Sequence, residues 1–149
     1  MKICLVGSRG GHLKHLYLMK TFWEKHERFW VTFDKTDSRS LLEDEKAYWC
    51  YFPTNRNIKN LIRNTFLAMK ILHKERPDLI LSTGAAPAIP YFWLARIYKA
   101  KTVFIEVYDR IEIPTITGKL VQPVADCFLL QWEEQKEFYR KGIYIGGIM

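Results

Sequence analysis

Lys2-Ile3-Cys4-Leu5-Val6-Gly7-Ser8-Arg9-Gly10-Gly11-His12-Leu13-Lys14-His15-Leu16 opens the chain and decides its fold class. Four apolar residues in a row, Ile3 to Val6, read as a buried strand that ends at Gly7. The glycines at 7, 10 and 11 allow a tight turn, and Leu13, Leu16 and Met19 then recur at helical spacing, predicting a helix over residues 11–25. Strand, glycine-rich turn and helix form the first unit of an α/β domain.

Working outward, the same alternation repeats. Further strands are expected at residues 29–33, 48–52, 79–81, 102–106, 127–130 and 143–145. Pro53 stops the third. Helices are expected at 58–74, ended by Pro77, at 87–98, at 117–121 and at 133–139. A short helix through Leu42 and Glu43 would be capped by Asp37 or Ser38. The segment 87–98 is apolar nearly all round, hence deeply buried or lipid-facing. Repeated β-α units imply a doubly wound parallel sheet, Rossmann-like, with helices on both faces. The whole of 1–149 is expected to form one such domain.

Composition narrows the function classes. The chain is 48% hydrophobic and 26% charged, which excludes a disordered protein. It holds no internal repeat, no apolar run long enough to span a bilayer and no signal peptide at its N-terminus, so a cytoplasmic location is expected. Cys4, Cys50 and Cys127 lie far apart in strand-like contexts without a CxxC pair, and read as buried free thiols. The net charge of +7 suggests an anionic partner: phosphate, acidic lipid or nucleic acid. An aromatic content of 15% fits carbohydrate or membrane-interface work, or simply a filled core.

In doubly wound sheets ligands bind beyond the carboxyl ends of the strands. The first such loop, from Gly7 to His12, offers uncovered amides and a helix N-terminus, either an anion cradle or a plain tight turn. Its spacing is neither G-x-G-x-x-G nor a Walker sequence. His12 can donate to a phosphate or act as a base, or be a surface histidine. His12 and His15 stand three apart with no carboxylate or cysteine beside them, so no metal site is expected. The fourth strand ends in Ser82-Thr83-Gly84-Ala85-Ala86-Pro87, a second cradle of small residues facing the first. The fifth ends at Glu106, followed by Asp109-Arg110; Glu106 is a candidate base or hydroxyl anchor, the alternative being a Glu106–Arg110 or Asp109–Arg110 ion pair. The site residues expected are thus His12 and Glu106 for catalysis, and Ser8, Gly10, Gly11, Thr83 and Gly84 for phosphate or acceptor binding.

At about 100° per residue, Arg56, Lys59, Arg63, Lys70 and Lys74 share one face of the long helix or its entry. Ile58, Leu61, Ile62 and Met69 occupy an adjacent face and read as core, while Leu67 and Ile71 flank the basic stripe on its other side. A basic stripe beside exposed aliphatics suits an anionic membrane surface, or is a solvated face. The membrane-surface residues expected are Lys59, Arg63, Leu67, Lys70, Ile71 and Lys74.

These segments in this order resemble a known family. They are Gly10-Gly11-His12, Ser82-Thr83-Gly84 with Pro87 and Pro90, Glu106 after Phe104-Ile105, Thr117-Gly118-Lys119-Leu120, and Ala125-Asp126 through Gln131-Trp132-Glu133. The chain resembles bacterial capsule and exopolysaccharide proteins of the PssD/CpsF type. These are similar to the eukaryotic subunit that anchors the second N-acetylglucosamine transferase of dolichol-linked oligosaccharide assembly. The family is in turn similar to the N-terminal half of the peptidoglycan transferase MurG, the acceptor half of a glycosyltransferase B fold. The resemblance implies that His12 matches the histidine of MurG's glycine-rich loop and Glu106 the glutamate of its His-Glu-Gln-Asn segment; here Ile105 precedes the glutamate and Val107-Tyr108 follow it.

The chain stops at Gly146-Gly147-Ile148-Met149, where a two-domain enzyme would begin its linker. The expectation from the resemblance is a separate donor-binding subunit. The pair would move a hexose or N-acetylhexosamine from a UDP-sugar to a sugar on polyprenyl diphosphate. It would need no cofactor or metal and bind no nucleic acid, and would work peripherally on the inner face of the cell membrane. Asp34, at the end of the second strand, supports an alternative: a Rossmann-type NAD or flavin module whose acid holds a ribose. A third reading is a recruiting subunit with no residue in the chemistry.

Overall fold

The computed structural model describes residues 1–8, 11–54, 57–84, 86–106 and 114–147. Its strands are β1 (Lys2–Val6), β2 (Glu27–Phe33), β3 (Ala47–Cys50), β4 (Leu79–Ser82), β5 (Lys101–Ile105), β6 (Cys127–Leu130) and β7 (Ile143–Tyr144). Its helices are α1 (Gly11–Leu18), α2 (Lys20–Trp23), α3 (Thr36–Leu41), α4 (Ile58–Glu75), α5 (Ala88–Leu94) and α6 (Ile116–Val121), with a 3₁₀ turn over Glu133–Glu137. The sheet order is β3-β2-β1-β4-β5-β6-β7 and every pairing is parallel. This is the doubly wound sheet expected from the alternation of strands and helices.

Each face of the sheet has its own apolar core. Ile3 and Leu5 face Leu13, Leu16, Trp23 and Trp30 on the side of α1 and α2. Cys4 and Val6 point the other way, into a core with Ile71, Leu72, Tyr91, Phe92 and Val121 from α4, α5 and α6. The period-two alternation of β1 thus feeds both layers. Cys4, Cys50 and Cys127 are free thiols; the first two are buried and Cys127 is partly so.

Several elements differ from expectation, among them α5, expected over 87–98 and ending at Leu94, and β3, expected over 48–52 and ending at Cys50. The helix predicted for 11–25 breaks at Met19. The Leu16 carbonyl, which should accept from residue 20, accepts instead from Met19 N at 3.1 Å and from the buried Trp23 indole at 2.9 Å. The segment predicted as a helix over 133–139 is a 3₁₀ turn, because the Gln135 side chain reaches back to Gln131 N and Trp132 N. Neither Asp37 nor Ser38 caps α3; Lys35 holds the N-cap position and no side chain caps it.

The largest correction concerns the rotation of α4. Ile71 is 2% exposed and Leu67 is partly buried against the core, so the two do not form the exposed aliphatic flank expected of them. Ile58, Leu61, Ile62 and Met69, read from the sequence as core, face out at 74%, 40%, 52% and 39% exposure. Polar residues set this rotation. Asn60 donates to Pro53 O at 2.7 Å, and Asn64 brackets Tyr51 by accepting from its N and donating to its O. Glu75 is buried between Lys2 at 2.7 Å, Lys46 at 2.6 Å and the Tyr48 hydroxyl. These three turn one flank of α4 onto β3 and β1, and the more apolar flank is left outside. Lys59, Arg63, Lys70 and Lys74 remain exposed, as expected; Arg63 lies over the Tyr51 ring. Arg56 lies outside the described residues.

Candidate functional site

The sheet order puts β1 beside β4, so the loops leaving their carboxyl ends are neighbours. They are joined by a reciprocal pair of hydrogen bonds between His12 and Thr83. The Thr83 hydroxyl donates to His12 O at 2.6 Å, and His12 Nδ1 lies 3.2 Å from Thr83 O. A carbonyl only accepts, so Nδ1 is the donor in this contact and Nε2 is the ring nitrogen left to accept a proton. His12 is half-buried in the first turn of α1, whereas Thr83 is fully buried. Next to it Gly84 has φ of 129°, a conformation that favours glycine, and its amide donates to Ser82 Oγ at 3.0 Å. Ser8 is half-buried and Gly11 is exposed at the start of α1. Gly10 lies outside the described residues.

One strand further along, Glu106 closes β5 and is fully buried. Its carboxylate accepts from Thr115 Oγ1 at 3.0 Å, from Thr115 N at 3.3 Å and from the Tyr139 hydroxyl. Its carbonyl accepts from Gln131 Nε2 at 2.9 Å. Burial, and then the bond to Glu106, push the Tyr139 phenol well above its ordinary range, so it stays a donor. Thr115 caps α6, its Oγ1 accepting from Gly118 N at 2.9 Å. Gly118 is required by this packing: a Cβ there would lie 2.6 Å from Glu106 Oε2 and 2.8 Å from Thr115 Oγ1. Glu106 therefore ties together β5, the start of α6 and Tyr139. Asp109 and Arg110, considered as its neighbours and ion-pair partner, lie outside the described residues, as do Val107 and Tyr108.

A family profile described as "Oligosaccharide biosynthesis protein Alg14 like" matches residues 2–148. The chain belongs to this Alg14-like family. Its relatives include the human UDP-N-acetylglucosamine transferase subunit ALG14, 29% identical over 59% of this chain and 44% of the relative. The rat ALG14 is 24% identical over 77% of this chain and 60% of the relative. The chain spans about half the length of these curated relatives. Among solved structures, MurG of Acinetobacter baumannii superposes with a TM-score of 0.74 at 15% identity, over 89% of this chain and 42% of that one. The UDP-N-acetylglucosamine 2-epimerase of Rickettsia bellii gives 0.78 at 15% identity, over 100% and 45%. At such identities the likeness is one of fold, the N-terminal Rossmann-like half of a glycosyltransferase B architecture.

Within this Alg14-like fold, His12 and Thr83, 71 residues apart, are in direct contact, and Gly84 adjoins them. Asp34, the acid at the end of β2, is held in a two-pronged bond by Arg39, whose hydrogen bond lowers its pKa. The surroundings of Glu106 were missed in the sequence. Tyr139 lies 33 residues away, and nothing local marks it as the partner of a buried carboxylate. Thr115 carried a weak signal, since Thr115-Ile116-Thr117-Gly118 suits a helix N-cap.

Proposed function

We propose that this chain is the acceptor-side subunit of a two-component glycosyltransferase. It binds a sugar carried on polyprenyl diphosphate, while a separate protein grips the UDP-sugar. The pair moves a hexose or N-acetylhexosamine in capsule or exopolysaccharide synthesis, at the inner face of the cell membrane. The observation that carries the reading is the His12–Thr83 pair at the carboxyl edge of the sheet. With Nδ1 committed to a carbonyl, Nε2 is free to take the proton of the acceptor hydroxyl as that oxygen attacks the anomeric carbon of the donor. The bond from that carbon to the UDP oxygen breaks, and UDP leaves with the electron pair on the partner's side. The start of α1 at the exposed Gly11 offers the diphosphate side of the site, with the buried Gly84 behind it. Glu106 serves as a positioning residue: its carboxylate is fully buried and bound to Thr115 and Tyr139.

The test is co-expression with the products of adjacent genes, affinity capture, and a transfer assay with labelled UDP-sugars on membranes. The captured pair is expected to transfer sugar, and the chain alone to transfer none. Robust transfer by the partner-free chain overturns the two-component reading. Tight binding of NADH by the isolated chain would replace it with the nucleotide-module alternative.

A further inference from the structure

α4, α5 and α6 form one layer on one side of the sheet, with α4 packed on α5 and α5 on α6. The outside of this layer is apolar to a degree that its inside does not explain. Ile58, Ile62 and Phe66 of α4 are 74%, 52% and 66% exposed. Trp93 on α5 and Ile97 just beyond it are 51% and 68% exposed, and Leu120 on α6 is 44% exposed. Trp93 and α6 are joined, since its indole donates to Leu120 O at 3.0 Å. Scattered exposed apolar residues need no explanation, but a run of them across three adjacent helices does.

The charges on the same layer are one-sided. Lys59, Lys70, Arg96, Lys99 and Lys119 are exposed, and among the described residues of residues 57–76, 86–100 and 114–125 the only carboxylate is Glu75. Glu75 is buried and paired with Lys2 and Lys46. The opposite layer carries both signs, with Glu24, Asp37, Glu43 and Asp44 beside its lysines and arginines. Among the described residues the excess of positive charge therefore lies on the layer that carries the apolar surface.

We propose that the outer face of α4, α5 and α6 is a bilayer-docking surface, whose apolar side chains enter the acyl boundary of an anionic leaflet while the flanking cations contact its headgroups. An apolar band rimmed by lysine and arginine, without exposed acids among its described residues, matches a negatively charged lipid surface. The apolar residues of α4 lie on a flank distinct from its basic stripe, so the contact is both hydrophobic and electrostatic. Helices that follow strands of a parallel sheet begin at its carboxyl edge. Ile58 and Ile116, both 74% exposed, stand at the first residues of α4 and α6, at the edge that carries His12. Docking through this face brings the His12–Thr83 edge beside the headgroups, where a diphosphate-linked acceptor is presented. The docking surface rests on the acceptor-side reading for its purpose; its binding is measured without sugar or partner.

The experiment uses the full chain with vesicles of phosphatidylcholine alone or mixed with phosphatidylglycerol. Wild type is expected to float with the mixed vesicles. The triple variant Ile62→Ser, Phe66→Ser, Ile97→Ser is expected to bind about tenfold or more weakly at both low and high salt, because it loses apolar burial. The variant Lys59→Glu, Lys70→Glu, Lys119→Glu is expected to lose binding at low salt. Acyl-brominated lipid is expected to quench wild-type tryptophan fluorescence, and Trp93→Phe to remove most of that quenching. Matching circular dichroism and unfolding midpoints show that the variants are folded. Equal flotation of wild type and serine variant, or quenching unchanged in Trp93→Phe, overturns the proposal. So does a concentration-dependent dimer that the serine variant dissolves while wild type ignores vesicles, since the occupant is then a second copy. A chain that ignores vesicles yet supports transfer to a water-soluble acceptor with its partner overturns the docking face and leaves the acceptor-side reading standing.

Discussion

The role of His12 depends on which ring nitrogen carries its proton. Thr83 O settles this by accepting from Nδ1 at 3.2 Å, which leaves Nε2 as the basic atom. His12→Ala is expected to lower transfer by the assembled pair about a hundredfold or more, in the range for loss of a general base. The pair should still be captured intact, because His12 is half-buried and its loss opens no core cavity. Unchanged transfer by an intact pair would remove it from the mechanism. Glu106 differs in kind, because among the described residues its carboxylate is bound to the Thr115 hydroxyl and amide and to the Tyr139 hydroxyl, all within the fold. Tyr139→Phe takes a donor away from a buried carboxylate and is expected to cost about 1–3 kcal/mol in urea unfolding. Combined with Glu106→Ala, the two losses should be less than additive, since each removes the same contact. Full additivity would mean that the contact contributes nothing.

At the scale of the element, α4 is the informative case. It has three flanks: a buried one where Asn60, Asn64 and Glu75 stand beside Ala68, Ile71 and Leu72, a basic one along Lys59, Arg63, Lys70 and Lys74, and an exposed one with Ile58, Leu61, Ile62, Phe66 and Met69. Its hydropathy alone points the apolar flank inward, and the structure turns it outward. Two substitutions separate these orientations in a single denaturation experiment. Ile71→Ala is expected to cost about 2–5 kcal/mol as a core truncation. Ile62→Ala is expected to stay within about 0.5 kcal/mol of wild type. The reverse ranking would restore the orientation that periodicity suggests. Asn57, whose side chain accepts from Asn60 N at 3.0 Å, fixes where this helix starts. Asn57→Ala should cost about 1 kcal/mol.

For the whole molecule, the edge of the sheet opposite the site is closed by one buried carboxylate. Burial alone would raise the pKa of Glu75, but hydrogen bonds from Lys2, Lys46 and Tyr48 and the charge of Lys2 outweigh it and bring it down to about 2. A depressed carboxylate contributes stability above its unfolded value of 4.5 and loses it as pH falls through that value towards about 2. The contribution is on the order of 3 kcal/mol. Glu75→Gln is therefore expected to lower the unfolding free energy at neutral pH and to flatten its decline between those two pH values. An acid limb as steep in Glu75→Gln as in wild type would show that other carboxylates govern it. The exposed cations of α4, α5 and α6 leave the molecule with one strongly positive side, so weaker vesicle binding in salt belongs to this scale as well.

The alternation of strands and helices, and with it the parallel sheet, is legible in the order of residues alone. Each unit is marked locally by an apolar run, a turn rich in small residues and a helical period. The same order places His12, Thr83 and Glu106 at strand ends, because a strand's carboxyl end is a local feature of the chain. That β4 lies beside β1, joining His12 to a threonine 71 residues away, emerges only when the chain is folded. Folding likewise decides that Tyr139 reaches Glu106 and that α4 shows solvent its apolar flank. The physical reason is common to all three. Hydropathy records how strongly a residue avoids water, whereas a buried asparagine or glutamate is held by hydrogen bonds to partners distant in sequence. Once Tyr51, Lys2 and Lys46 satisfy Asn64 and Glu75, those polar groups are stable inside, and Ile58, Ile62 and Phe66 are left on the surface.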